Sequence, residues 1–234
     1  MKYAYIIGAL VVVGLIGGLL LTGKADNPFK NKDTASTTQD ATAVVATFTM
    51  NGGENTITRG QLDAQIQTLA NNPQIQVPDQ SNTEARTTFE RLVLTQMVRD
   101  ALLFDEAQKQ GFTADTAAVD AELAKISGQY PDATAFQAAL AAASVSEDTL
   151  RTNLAHQLIL NQYSAKIAAD QGITVTPEEV RTFFDEQVAP EASTTPFEEV
   201  SEKIQEYLTQ QKTGAAVATV VESLYTAANT QIRI

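Results

Sequence analysis

The chain has 234 residues, 44% of them apolar, with no Cys, no Trp and a formal net charge of −12. That length and apolar content supply one domain with a real core and exclude a chain disordered throughout. Without Cys there is no disulfide framework, thiolate nucleophile or thiolate-held metal, and an acidic chain lacking a dense Lys/Arg stripe repels phosphate backbones, which excludes nucleic acid as a partner.

From Tyr3 to Thr22 there is no formal charge, and Ile6–Leu21 is almost wholly apolar. About 20 such residues span a hydrocarbon core of about 30 Å as a helix, so residues 1–22 are expected to form a transmembrane anchor that meets the bilayer through residues 4–22. A cleaved signal peptide is the competing reading, and Gly23-Lys24-Ala25 fits its small-x-small site poorly. The polar stretch 23–42 reads as a flexible tether, with an r.m.s. reach of about 25 Å. Lys2 lies on one side of the anchor and Lys24, Lys30 and Lys32 on the other, so charge alone does not orient it.

Residues 43–234 form the body. Val44, Ala46, Phe48 and Met50 alternate onto one face of a strand, Asn51-Gly52-Gly53 supplies a turn, and Glu54–Thr58 returns. Thr230–Ile234 also alternates, and pairing it with the first strand brings the two ends of the body together. Everything between is expected to be helical. Leu62, Ile66 and Leu69 make a first stripe. Phe89 to Phe104 is apolar in all directions around a helix, which places it at the centre. Val119, Leu123 and Ile126 mark a further helix, Phe136 and Leu140 a short one, and Leu150, Leu154 and Leu158 begin a longer one ending near Asp170. Gly111 and Gly172 suit the left-handed position after a helix. They belong to one connector used twice, Gln110-Gly111-Phe112-Thr113 and Gln171-Gly172-Ile173-Thr174. Thr176, Pro177, Glu179 and the Val175/Val180 pair form a complete helix start. Thr195-Pro196-Phe197-Glu198 reads as a second such box, opening a last helix with Val200, Ile204, Leu208, Val217, Val221 and Leu224.

Catalytic chemistry finds little support. His156 is the single histidine, and it points away from the Leu150/Leu154/Leu158 stripe, which makes it a surface residue. The pairs Glu178-Glu179 and Glu198-Glu199 are explained by capping. Asp115, Asp120 and Glu122 lack the spacing of a calcium loop. No nucleophile elbow, P-loop or dinucleotide fingerprint occurs. The expectation is a protein with no catalytic residue, cofactor or metal.

The stretches Asn51–Glu54, Ile57–Asp63, Leu92–Glu106 leading to Gln110-Gly111-Phe112-Thr113, Val119–Leu123, Phe136–Ala143 followed by Leu150-Arg151, Ile173–Val180 and the helix after Pro196 together resemble the N-terminal chaperone module of the SurA, PpiD and PrsA family, over roughly residues 43–234. The anchored N-terminus is similar to the PpiD arrangement. Members with isomerase activity carry a parvulin domain between the Phe183-Phe184 helix and the last helix. Here that interval is only about Gln187–Thr195, so the resemblance implies the chaperone module alone, without isomerase activity. It implies a mainly α fold with a small β element, a SurA N-terminal-like helical module closed by short N- and C-terminal strands. It further implies a body held outside the cytoplasm on a single-pass anchor in the cell membrane. The partners would be unfolded or newly exported polypeptides, held by diffuse apolar contacts. A structural adaptor for one defined partner protein, and a relative of the isomerases with residual activity, are the alternatives. A holdase must present apolar surface. Val180, Phe183 and Phe184, together with Tyr130, Phe136 and Leu140, are the candidates for contacting clients, with core packing as the plainer role for each.

Overall fold

A computed structural model describes residues 40–72, 74–143, 145–189 and 196–234. The expected anchor at 4–22 and most of the tether lie outside the described residues. Among the described residues, no helix is long and apolar enough to cross a membrane.

Strands β1 (Val44–Met50) and β2 (Gly53–Thr58) pair antiparallel. Asn51 and Gly52 both take positive φ, 56° and 72°, the two-residue turn whose twist matches that of the strands it joins. At the other end of the chain, β3 (Gln231–Ile232) pairs antiparallel with the free side of β1, Ala46 opposite Ile232, giving the order β2-β1-β3. The two ends of the body do close in one sheet. The faces of β1 differ from a simple alternation. The register slips between Val44 and Ala46, a bulge that leaves Val44 exposed, while Val45, Ala46, Thr47 and Phe48 are all buried. As the central strand, β1 is covered on both faces, which strict alternation does not anticipate.

The helices are α1 (Arg59–Ala70), α2 (Thr83–Lys109), α3 (Thr116–Ser127), α4 (Ala133–Ala142), α5 (Glu147–Asp170), α6 (Pro177–Phe183), which runs into a π-helical turn at Phe184–Val188, and α7 (Phe197–Ala227). The protein is thus mostly helical with a small three-stranded sheet. The repeated connector has the same geometry twice. Gly111 (φ 87°) and Gly172 (φ 62°) end α2 and α5. Phe112 N–H then donates to Ala107 C=O at 3.1 Å, and Ile173 N–H to Ala168 C=O at 2.9 Å. This back-bond satisfies orphan carbonyls and turns the next apolar residue inward. Thr176 and Glu179 form the capping box at α6, with Pro177 in its first turn. Helix α7 starts after Pro196, which offers no side-chain cap, and Thr195 of the expected second box lies outside the described residues. Glu198 and Glu199 lie in its first turn, where they meet the positive end of the helix dipole.

Four apolar clusters make up the interior. The first joins the sheet, α1 and the N-terminal and middle turns of α2 to the end of α7 around Phe48, Ile57, Leu62, Leu94 and Val98. The second joins the end of α2 to α5 and the middle of α7 through Leu103, Ile159, Tyr163 and Ala216. The third holds α3 and α4 on the start of α5, and the fourth holds α6 and the π turn on the start of α7. Helix α2 enters the first two clusters, as its all-round apolar sequence predicts. Helix α7, 31 residues and about 46 Å long at 1.5 Å per residue, passes through three of the four. A buried charge cluster ties α1 to α2. Glu90 accepts two hydrogen bonds from Arg59 at 2.7 and 2.8 Å and one from Arg86 at 2.8 Å. Burial alone would raise the Glu90 carboxyl, but these guanidinium hydrogen bonds hold it below its ordinary range.

Candidate functional site

The six candidate client contacts fall into two separate clusters. Val180 and Phe184 are buried with Ile204 where the π turn packs on α7. The π turn is real at the hydrogen-bond level: Ala189 N–H donates to Phe184 C=O at 2.8 Å, five residues back. The Phe184 ring meets Phe197 edge-on at 5.3 Å, and the Arg181 guanidinium lies over both rings. Phe183 is half-buried against the Tyr207 ring at 5.3 Å. This aromatic face is therefore already covered by α7. Phe136 is buried with Val119, Leu123 and Leu154, and Leu140 is half-buried beside it. Tyr130 is exposed, with its ring 5.5 Å from Phe136. Val180, Phe184 and Phe136 are core residues. Phe183, Tyr130 and Leu140 stand at the edges of their clusters.

The large apolar side chains that are exposed among the described residues are Val44, Leu92 and Tyr130. They sit on β1, on α2 and in the connection between α3 and α4. Large, strongly exposed apolar side chains are therefore few among these residues and lie on separate parts of the fold. Leu92 is the extreme case, 65% exposed on a helix whose other large apolar residues are mostly buried.

His156 is not a surface residue. Its ring stacks on Phe104 at 4.2 Å, and its Nε2 lies 3.4 Å from Asp100 Oδ2 between α2 and α5. The stripe Leu150/Leu154/Leu158 marks only the side of α5 facing α3 and α4, whereas Ile159, Tyr163 and Ile167 face α2 and α7. Helix α5 is clasped from two directions, so the side opposite one stripe is not solvent. A charged pair would lower the carboxyl and raise the imidazole. Burial drives both the other way, raising Asp100 from 3.8 to about 7 and lowering His156. The 3.4 Å separation is long for a charge-assisted hydrogen bond, and burial decides the outcome. Elsewhere, Glu179 keeps its cap and also takes a 2.6 Å contact from Lys212 of α7. Among the described residues no cluster of three or more His, Cys, Asp or Glu is arranged to hold a metal.

A family model for the SurA-like N-terminal domain matches residues 2–164. The chain belongs to the SurA-like N-terminal domain family. No curated protein matches it. The SurA-like match takes in the β1–β2 hairpin, α1 to α4 and most of α5. It reaches further toward the N-terminus than the body at 43–234 and stops before α6. The part of this SurA-like protein beyond the match is nonetheless built into the same interior, because α7 contributes Leu224 and Tyr225, and its C-cap Ala228, to the sheet cluster and Ala216 to the second.

Proposed function

We propose that this SurA-like protein is a membrane-anchored holdase that binds unfolded or newly exported polypeptides outside the cytoplasm, with no enzymatic step. Membership of the SurA-like family carries the reading. The uncharged run before residue 23 supports the anchor, and the family resemblance supports the outward orientation. The interval between the π turn and α7 is too short for an isomerase domain, so no prolyl isomerase activity is proposed. The strongly acidic balance of the chain keeps a client-loaded protein soluble.

The test uses the purified full chain in detergent. It should suppress aggregation of a chemically unfolded model client and leave the rate of a proline-limited refolding step unchanged. Acceleration of that step would overturn the non-enzymatic reading. Failure to suppress aggregation at a several-fold molar excess would overturn holding. A second reading, an adaptor that docks one defined partner, is favoured by the discreteness of Val44, Leu92 and Tyr130. Retention of one stoichiometric partner, with indifference to unfolded clients, distinguishes it.

A further inference from the structure

Asn51-Gly52, at the tip of the β1–β2 hairpin, is the single Asn-Gly pair in the sequence. Both residues are exposed, and a Cβ on Gly52 would meet nothing within 4 Å. Such a pair is open to attack by the glycine backbone nitrogen on the asparagine side chain, because no side chain on the glycine crowds that nitrogen. Two features of this tip oppose the attack. The first is the turn. With φ positive at both residues, 56° and 72°, ψ of the first is roughly +30°, which sets the Asn51 Cβ nearly opposite the Gly52 nitrogen, whereas ring closure needs the two eclipsed. The second is a tie to α2. Asn51 Nδ2 donates to Asp105 Oδ1, a carboxylate on a residue only 7% exposed, whose other oxygen meets Lys109 Nζ at 2.6 Å. This charge-assisted bond docks the hairpin tip on the helix.

We propose that Asn51 is a self-modification site gated by the Asp105 contact: opening of the tip lets Asn51 deamidate, and the product bars the tip from docking again. The only co-reactant is water. The Gly52 nitrogen gives up its proton and forms a bond to Asn51 Cγ, the Cγ–Nδ2 bond breaks, and ammonia leaves carrying that proton. Water then opens the five-membered imide at either carbonyl, which leaves aspartate or isoaspartate in place of asparagine. Nothing is oxidised or reduced. In the docked state an amide donor faces the Asp105 carboxylate. After the reaction a second carboxylate faces it, and Lys109 is left to offset two like charges. Isoaspartate also adds a methylene to the main chain, which the two-residue turn does not accommodate. A hydrogen bond alone would re-form after each opening; this change is irreversible and accumulates with the age of the chain. Asn229 serves as an internal control. It too has a left-handed backbone, φ 49°, but Thr230 follows it, and a β-branched side chain crowds the attacking nitrogen.

The test ages the full chain in detergent at pH 8, native and urea-unfolded, and follows Asn51 and Asn229 by mass spectrometry of proteolytic fragments, which separates asparagine, aspartate and isoaspartate. Asn51 should convert in both samples, at least about tenfold more slowly in the native one, while Asn229 stays intact in the native chain. Asp105→Ala should speed the native reaction about tenfold, the value of one hydrogen bond to a charged group, and leave the unfolded rate unchanged. Asn51→Asp, which copies one product, should lower the melting temperature. Combining it with Asp105→Asn should restore the loss, because the swapped pair again sets one amide against one carboxylate. A tip that merely needed its native residues would be worse in the double variant. Equal rates in the native and unfolded chains, or no acceleration in Asp105→Ala, would overturn the gating. An Asn51 that stays intact in the native chain and in Asp105→Ala, while the unfolded chain converts, would overturn the site. Should Asp105→Ala fail to fold, the swapped pair decides, and absence of rescue would overturn the proposal.

Discussion

Asp100→Asn measures what it costs this fold to keep a carboxyl between α2 and α5. Burial raises that carboxyl from 3.8 to about 7, so the folded protein holds the proton more tightly than the unfolded chain does. The favourable contribution is present at low pH, is lost progressively as pH rises from about 4 to about 7, and is constant above that. At about 1.36 kcal/mol per unit, the full loss is about 4 kcal/mol. His156 opposes this trend, because burial lowers its pKa and its contribution is lost as pH falls below about 6.5. It is present in both proteins, so it drops out of their difference to first order. Asparagine keeps the shape of the side chain and never ionises. Urea unfolding of both proteins at pH 5, 6, 7 and 8 should show the variant gaining on the parent by about 2–3 kcal/mol across that range, with the difference levelling above pH 7. A difference that does not vary with pH would refute the reasoning. So would a variant less stable than the parent at pH 8, which would mean that a true ion pair with His156 outweighs the burial.

Three further perturbations probe the frame. Phe184→Ser should lower stability by about 3–5 kcal/mol, the scale of a large aromatic truncation, while Phe183→Ser, at the half-exposed edge, should cost clearly less; denaturant midpoints separate the two, and equal losses would contradict the burial difference. Glu90→Ala strands the Arg59 and Arg86 guanidiniums and should cost about 3–5 kcal/mol near neutral pH. In the parent this stabilisation is present above the ordinary carboxylate range and is lost as pH falls through the depressed Glu90 value, so a parent-to-variant gap unchanged down to pH 2 would count against the charge cluster. Deleting residues 230–234 removes β3 and the Arg91 contact to the Ile234 carbonyl, and thermal unfolding of the whole body should shift down, whereas an unchanged melting temperature would deny the sheet closure a structural role.

The parts of the fold written in local chemistry were legible in the sequence. Gly111 and Gly172 had to end helices because the required backbone conformation disfavours other residues, and Thr176-Pro177-Glu178-Glu179 satisfies its own orphan groups within one turn. The closure of the two ends of the body was legible because both end segments alternate. What depended on neighbours was not. His156 was assigned to the surface from a single stripe on α5, and only the second clasp by α2 and α7 buries it. The Val44 bulge leaves no mark in a run of Val, Ala, Thr and Phe. The candidate client residues were chosen for size and spacing, yet Val180, Phe184 and Phe136 are already covered by packing partners distant in sequence. Leu92 was read as one more residue of a central helix, and its exposure follows from the direction in which α1 and α7 approach α2.

The pairing of β1 with β3 has a consequence for the life of the newly made chain. Thr47 meets Gln231, roughly 180 positions later, and synthesis at about 5–20 residues per second separates them by roughly 10–40 s. Throughout that interval the central strand has one open edge, and the last turns of α7 that cover Phe48 and Leu94 do not yet exist. The helical hairpins can form early, but the sheet-bearing core is completed only once β3 has been made. Until then the nascent protein is itself an incompletely folded polypeptide with an unpaired strand.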